Sequence, residues 1–226
     1  MIVKFKAAVL LGAALLSIGL TGFAKDKGNP VKFPNWGVMY VPDSLYMEPG
    51  RQPMLTAGDY GNDVITMLER IYPLEPETYQ VVQKDGASFQ YGYVAHYSAN
   101  LWEIEAATQG KETENAYLRD IGSRPNVATL MQRANEAMEQ RLPQGFVMTN
   151  PITAKKVNGK TFYEGTWQKG LIINGNRFVE TIQGVAYQRG DYVEIALIFA
   201  NIADPDNNLI DTMKTAFETA EKLPKK

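Results

Sequence analysis

The chain contains no cysteine and a single histidine, His96, among its 226 residues. Without thiols there is no disulfide, no thiolate nucleophile and no cysteine-ligated metal, and one imidazole cannot build the usual zinc sites. The same absence closes the lipoprotein route, which needs a cysteine at the cleavage site. Phosphate-cradling motifs are missing too. No Gly-x-x-x-x-Gly-Lys-Ser/Thr run occurs, no Gly-x-Gly-x-x-Gly follows a strand, and the 19 glycines are spread across turns.

Long apolar runs are scarce. The one that stands out, Ala7 to Leu20, follows Lys4 and Lys6 and precedes Thr21-Gly22-Phe23-Ala24. A charged start, a short apolar centre and small residues at −3 and −1 make a secretory signal peptide, with cleavage expected after Ala24. The rival reading is a membrane anchor, but about 14 to 17 apolar residues fall short of the ~20 that span a bilayer. Removing residues 1–24 takes Lys4 and Lys6 from the 23 basic residues and none of the 25 acidic ones. The mature chain is therefore mildly acidic, with no electrostatic footprint for nucleic acid or an anionic membrane surface. At about 200 residues it can bury a full core without covalent staples, which fits a single domain over 25–226.

Trp36–Val41 is the first expected strand, after an extended leader over 25–35, and a short run at Ser44–Met47 follows it. Residues 48–58 read as loop. Asp63 is placed to cap a short helix through Ile71, with a strand as the alternative because Val64 and Ile65 are β-branched. Thr78–Gln83 and Ala87–Tyr97 flank Lys84-Asp85-Gly86 as a hairpin, and Leu101–Ala107 reads as a further strand. Val127, Leu130, Met131, Ala134, Met138 and Leu142 repeat at helical spacing, predicting a helix over about 125–142 that Pro143 stops. Phe146–Val157 returns to strand character. Three strand-like runs follow, 160–169, 176–188 and 191–200, punctuated by Asn158-Gly159, Asn174-Gly175 and Arg189-Gly190-Asp191. The last run is apolar on both faces and reads as a central strand. Asp204-Pro205 then signals a helix over about 205–223, with Leu209, Met213, Ala216, Phe217, Ala220 and Leu223 as its buried stripe. Together these elements predict an α+β fold with a mostly antiparallel sheet packed against the middle and C-terminal helices.

The order of elements resembles the PsbP/Mog1-like fold group: an N-terminal strand pair at Trp36–Met47, a helix near Val127–Leu142, hairpin strands ending in Val193–Phe199, and the helix from Asp206 to Leu223. Against that pattern the stretch from about Gly50 to Arg124 reads as an insertion. The resemblance implies an exported bacterial binding or assembly protein. It carries no functional residue over by motif.

Candidate chemistry is sparse. His96 has Ser98 on the same strand face, but the spacing is unlike a nucleophile elbow, and a satisfied or solvent-facing strand histidine explains it. Asp59-Tyr60-Gly61-Asn62-Asp63 lacks the length and terminal glutamate of an EF-hand, so no metal site and no cofactor are expected. Glu103 and Glu105 share a face if 101–107 is a strand and are the only candidate acid and base; the ordinary alternative is two solvated glutamates. Asp204 and Asp206 are accounted for by helix capping. Aromatics are the enriched resource, with Trp36, Trp102, Trp167, Tyr91, Tyr93, Tyr97, Tyr163 and Tyr187 on expected strands. Core packing accounts for most such rings. Where several share an accessible face they make a binding surface, and Tyr91, Tyr93, Trp102 and Trp167 are the expected contacts.

The sequence therefore predicts a secreted or periplasmic, non-enzymatic protein that binds a protein or small ligand of the cell envelope, on its sheet or in a cleft made by the 50–124 region. Two other readings stand beside it. One is an envelope glycan hydrolase using a carboxylate pair such as Glu103 and Glu105, which requires acid and base roughly 5–9.5 Å apart across a cleft. The other is a purely structural envelope protein.

Overall fold

The computed structural model describes residues 28–49, 77–85, 88–108, 125–141, 145–202 and 208–221. The expected signal segment, the helix at Asp63, the Asp59–Asp63 loop and the Asp204-Pro205 cap lie outside these residues. Nine strands and three helices are formed among the described residues: β1 (Asn29–Phe33), β2 (Gly37–Val41), β3 (Leu45–Pro49), β4 (Glu77–Asp85), β5 (Ser88–Asn100), α1 (Leu101–Thr108), α2 (Val127–Arg141), β6 (Val147–Val157), β7 (Lys160–Ile173), β8 (Asn176–Arg189), β9 (Tyr192–Ile202) and α3 (Leu209–Glu218).

Seven strands make one antiparallel sheet in the order β3-β4-β5-β9-β8-β7-β6, and β1 and β2 form a separate two-stranded sheet. The expected α+β architecture with a mostly antiparallel sheet is what forms. β9 takes the middle position, as its two apolar faces required. The hairpins of the β6–β9 meander are closed by Asn158-Gly159 and Asn174-Gly175, where all four residues have positive φ (49°, 77°, 51° and 80°). That backbone twist matches the twist of the flanking strands, and asparagine and glycine adopt it at least cost.

Two faces of the large sheet are covered differently. On one side lie the β1–β2 sheet and α3, whose Leu209, Met213, Ala216 and Phe217 are buried against Val94, Ala196 and Ile198 together with Phe33, Trp36 and Met39. On the other lie α1 and α2, with Leu101, Ile104, Val127, Leu130 and Met131 buried against Ala99, Ala186 and Val193. Strand alternation makes this division: Val94 and His96 face the first layer, Tyr93, Ala95 and Tyr97 the second.

Three expectations are corrected. Residues 29–33 are not leader but strand, pairing with β2, so the strands at Trp36–Met47 do not pair with each other; β3 joins the edge of the large sheet instead. Residues 101–108 are helix, not strand. Asn100 accepts from the Trp102 backbone N–H (3.0 Å) while Glu103 accepts from the Asn100 N–H (2.8 Å). This reciprocal capping box satisfies two donors a helix start leaves free, and it overrides the apparent alternation. The C-terminal helix is described from Leu209, after Asn208, and ends at Glu218, short of the expected Leu223. The stretch read as an insertion supplies β4, β5 and α1, and β5 pairs with the central strand β9. The middle helix formed as expected, with the Asn126 side chain capping the Ala128 and Thr129 N–H groups at 2.9 and 3.3 Å.

Candidate functional site

Between the sheet and the α1–α2 layer is a cavity of about 90 Å³. Its wall is almost wholly apolar and draws on Tyr97, Ile104, Ala134, Ile152, Tyr163 and Trp167. Its floor is shaped by a pair of cross-strand glycines. Gly165 and Gly184 are directly opposed on β7 and β8, and a Cβ at either would come within 3.1 or 3.0 Å of the Trp167 ring. The indole therefore lies close against the backbone where no side chain intervenes. Trp167 is only 4% exposed, and its Nε1 is buried without a hydrogen-bond partner. An orphaned buried donor is uncommon and costs stability unless something accepts from it.

The opposite wall is held rigidly. β6 carries register shifts between Met148 and Asn150 and between Asn150 and Thr153, so its backbone leaves the ladder near Ile152. Asn135 of α2 replaces the missing strand partner: its amide donates to the Ile152 carbonyl (3.0 Å) and accepts from the Ile152 N–H (2.6 Å). The helix is thus pinned to the sheet edge by one side chain, and Ile152 is fixed in the cavity wall.

On the other sheet face lies a polar cluster built on Glu194, whose side chain is 0% exposed. Its Oε1 accepts from Arg189 Nε (2.8 Å) and Nη2 (2.7 Å) and from Ser98 Oγ (3.1 Å). Asn35 Nδ2 donates to Oε2 (3.2 Å), and His96 Nε2 lies 3.1 Å from the same oxygen. His96 Nδ1 is 3.4 Å from Glu77 on the far side. Burial pushes the Glu194 carboxyl up, but hydrogen bonds from His96 and Arg189, with the charge on Arg189, outweigh it and hold the group below the usual glutamate range. Ser98 and His96 both address the carboxylate and not each other. Neither bond activates the serine as a nucleophile.

A carboxylate pair also exists, though not the expected one. Glu164 on β7 and Glu218 on α3 are neighbours, with Lys155 2.7 Å from Glu218 and 3.3 Å from Glu164, and Lys214 3.5 Å from Glu164. Burial and the neighbouring carboxylate raise Glu164. Glu218, which burial would also raise, is held low by hydrogen bonds from Glu164 and Lys155. Glu164 is thus the member that takes up a proton first. With two lysines bridging it, the pair ties α3 to the sheet.

Of the residues singled out from sequence, Glu103 is the capping glutamate of α1 and Glu105 pairs with Arg133 (3.1 Å). Two residues apart on a helix, they point about 200° apart around its axis, so they are not brought together as acid and base. Trp167 lines the cavity, and Trp102 packs against the cluster of α1 and α2 residues beside it. Tyr93 is buried and stacks on Phe199 with centroids 4.1 Å apart, and burial together with Glu180 and Tyr97 pushes its phenol up. Tyr91 is on β5, two residues before Tyr93. Glu194 was missed because its strand reads as apolar; a lone glutamate within such a strand is the signal that could have found it.

Among the described residues no group of three or more His, Asp or Glu side chains is placed to hold a metal ion, and no helix is long and apolar enough to cross a membrane. No family model matches the chain, and no curated protein matches it. It is similar to the solved structure of LpqN, described as involved in cell envelope biogenesis of Mycobacterium tuberculosis, at 13% identity over 84% of this chain and 86% of that one, with a TM-score of 0.39. A structure from Bacteroides thetaiotaomicron is similar at 7% identity and a TM-score of 0.39; the match covers 88% of this chain and 51% of that one.

Proposed function

We propose that the protein is an exported, non-enzymatic binding protein of the cell envelope that holds an apolar ligand group in the cavity between the sheet and α1–α2. The observation that carries this reading is the cavity itself, apolar-lined and floored by two opposed glycines under the Trp167 ring. An engineered cavity of about 150 Å³ takes up benzene, so a space of about 90 Å³ suits a slim alkyl or small aromatic group. Trp167 is then a direct contact, Trp102 supports the wall, and Tyr91 and Tyr93 lie on the strand that continues it. Export rests on residues 1–24. The element order that resembles the PsbP/Mog1-like group supports a binding or assembly role.

The test is titration of the ¹⁵N-labelled protein with a small apolar probe, benzene, following the Trp167 indole N–H, with Ala134→Phe as the cavity-filling variant. A saturable shift in the natural protein and its loss in a variant that still melts cooperatively is the expected result. Equal binding by both, or no saturable binding by the natural protein, sinks the reading.

A further inference from the structure

On the sheet face opposite the cavity, a groove of about 560 Å³ runs between the β1–β2 turn and the start of β7 and end of β8. Its described lining includes Arg189, Lys160, Trp36, Thr161 and Tyr187, with no acidic side chain among them. We propose that this groove is a binding site for a small anionic ligand, a carboxylate or phosphate carried on a compact apolar or ring-shaped body.

Both cations in it are held in place rather than loose on the surface. Arg189 is about half exposed, yet its Nε and Nη2 are both fixed on Glu194 Oε1, which is itself fully buried and held by Ser98, Asn35 and His96. The guanidinium has further N–H groups beyond those two. Lys160 is anchored through the Ala220 carbonyl at 2.8 Å, which fixes a three-donor ammonium at the groove. Holding a long side chain in place before the ligand arrives removes much of the entropic cost that weakens surface charge pairs.

The two charged groups of the lining are donors and neither is an acceptor, while Asn35, Thr161 and Gln188 add neutral side chains that can donate or accept. A ligand carrying negative charge is what such an inventory recognises. The remaining wall is aromatic: Trp36 meets Tyr187 edge-on at 4.7 Å, and the Tyr187 hydroxyl donates to the Asn35 carbonyl, which closes the turn over the groove. Those ring surfaces suit the body of an organic acid or a sugar phosphate.

The test is a titration of the ¹⁵N-labelled protein with inorganic phosphate and, separately, with benzoate, following the Trp36 indole N–H and the Arg189 Nε–H. The expected result is a saturable shift of both signals with at least one anion, while the Trp167 indole stays fixed, and affinity about tenfold weaker in Lys160→Met. Phosphate saturating at the lower concentration assigns the phosphate class; benzoate doing so assigns the carboxylate class. Lys160→Met sacrifices the hydrogen bond to the Ala220 carbonyl and tests the site without touching the Glu194 cluster. Linear drift with both anions, or equal affinity in the variant, overturns the proposal. A shift of Trp167 alone would also overturn it, because that ring lies in the cavity on the other face.

Discussion

Removing Arg189 should cost more than removing the charge it neutralises. Glu194 is fully buried, whereas the Arg189 side chain is 46% exposed. When Glu194→Gln takes the charge away, Arg189 can turn to water, and the new side-chain amide still offers an oxygen to Ser98 and the guanidinium. The loss is the charge-assisted part of two hydrogen bonds, about 1–2 kcal/mol. Arg189→Met leaves the carboxylate buried with only His96, Ser98 and Asn35 around it. Stranding one member of a buried pair costs about 3–5 kcal/mol, and the surviving donors place this case near 3. For a chain of this size that is a fall in melting temperature of roughly 6–12 °C. Urea unfolding of both single variants and of the double variant measures the terms, and the double should resemble Glu194→Gln alone. Acidity supplies a second check. The Glu194 carboxyl is held below its usual value, so its contribution is present above about pH 4.3, the ordinary glutamate value, and is lost as pH falls through the folded value. The Arg189→Met deficit must therefore shrink as the pH is lowered through the carboxylate range. A deficit no larger than that of Glu194→Gln, or one independent of pH, would refute the reasoning.

Asn135→Ala strands the Ile152 N–H and carbonyl on the bulged strand and should cost about 1–3 kcal/mol, with faster hydrogen exchange at the Ile152 amide as the local signature. Glu103→Gln keeps an acceptor for the Asn100 N–H and should change stability by no more than about 0.5 kcal/mol, whereas Asn100→Ala should cost about 1 kcal/mol by urea unfolding. Burial and the adjacent Glu77 raise the Tyr79 phenol to about 12, so an ultraviolet pH titration should find one tyrosine ionising there. Because the unfolded chain loses that proton near pH 10, stability should fall between the two values.

The β6–β9 meander and α3 were legible because their signals are local. Asn-Gly pairs set the β6–β7 and β7–β8 turns by φ alone, and the stripe from Leu209 to Phe217 has one period. Strand β1 was hidden because its alternation, Val31-Lys32-Phe33, spans a single period and follows a proline; it is a strand only because β2 lies beside it. For α1, alternation from Leu101 to Glu105 competed with Asn100-x-x-Glu103, and the helix-start signal prevailed. At the site, Trp167 could be picked out as an aromatic. The opposed glycines beneath it and the Asn135 clamp could not, since each matters only through a neighbour distant in sequence. Glu194 is the clearest case: its strand looked wholly apolar, and its partners come from β5, β8 and the β1–β2 turn.

The strand order also sets the route by which the chain reaches its native state. Every hairpin from β6 to β9 closes between neighbours in sequence, while β5 meets β9 through pairs such as Gly92 with Ala200 and Asn100 with Tyr192, about a hundred residues apart. Closing so long a loop is entropically costly and is repaid only once the seam has formed. The meander should therefore act as a template on which β3–β5 dock late, with the β1–β2 sheet and α3 sealing the join. Val94→Ala, in the seam, should then accelerate unfolding with little effect on the folding rate, and Ile182→Ala, in the meander, should slow folding. Until the seam closes, the middle strand of the finished sheet is an open edge, and in a crowded compartment that is where a second chain could add itself.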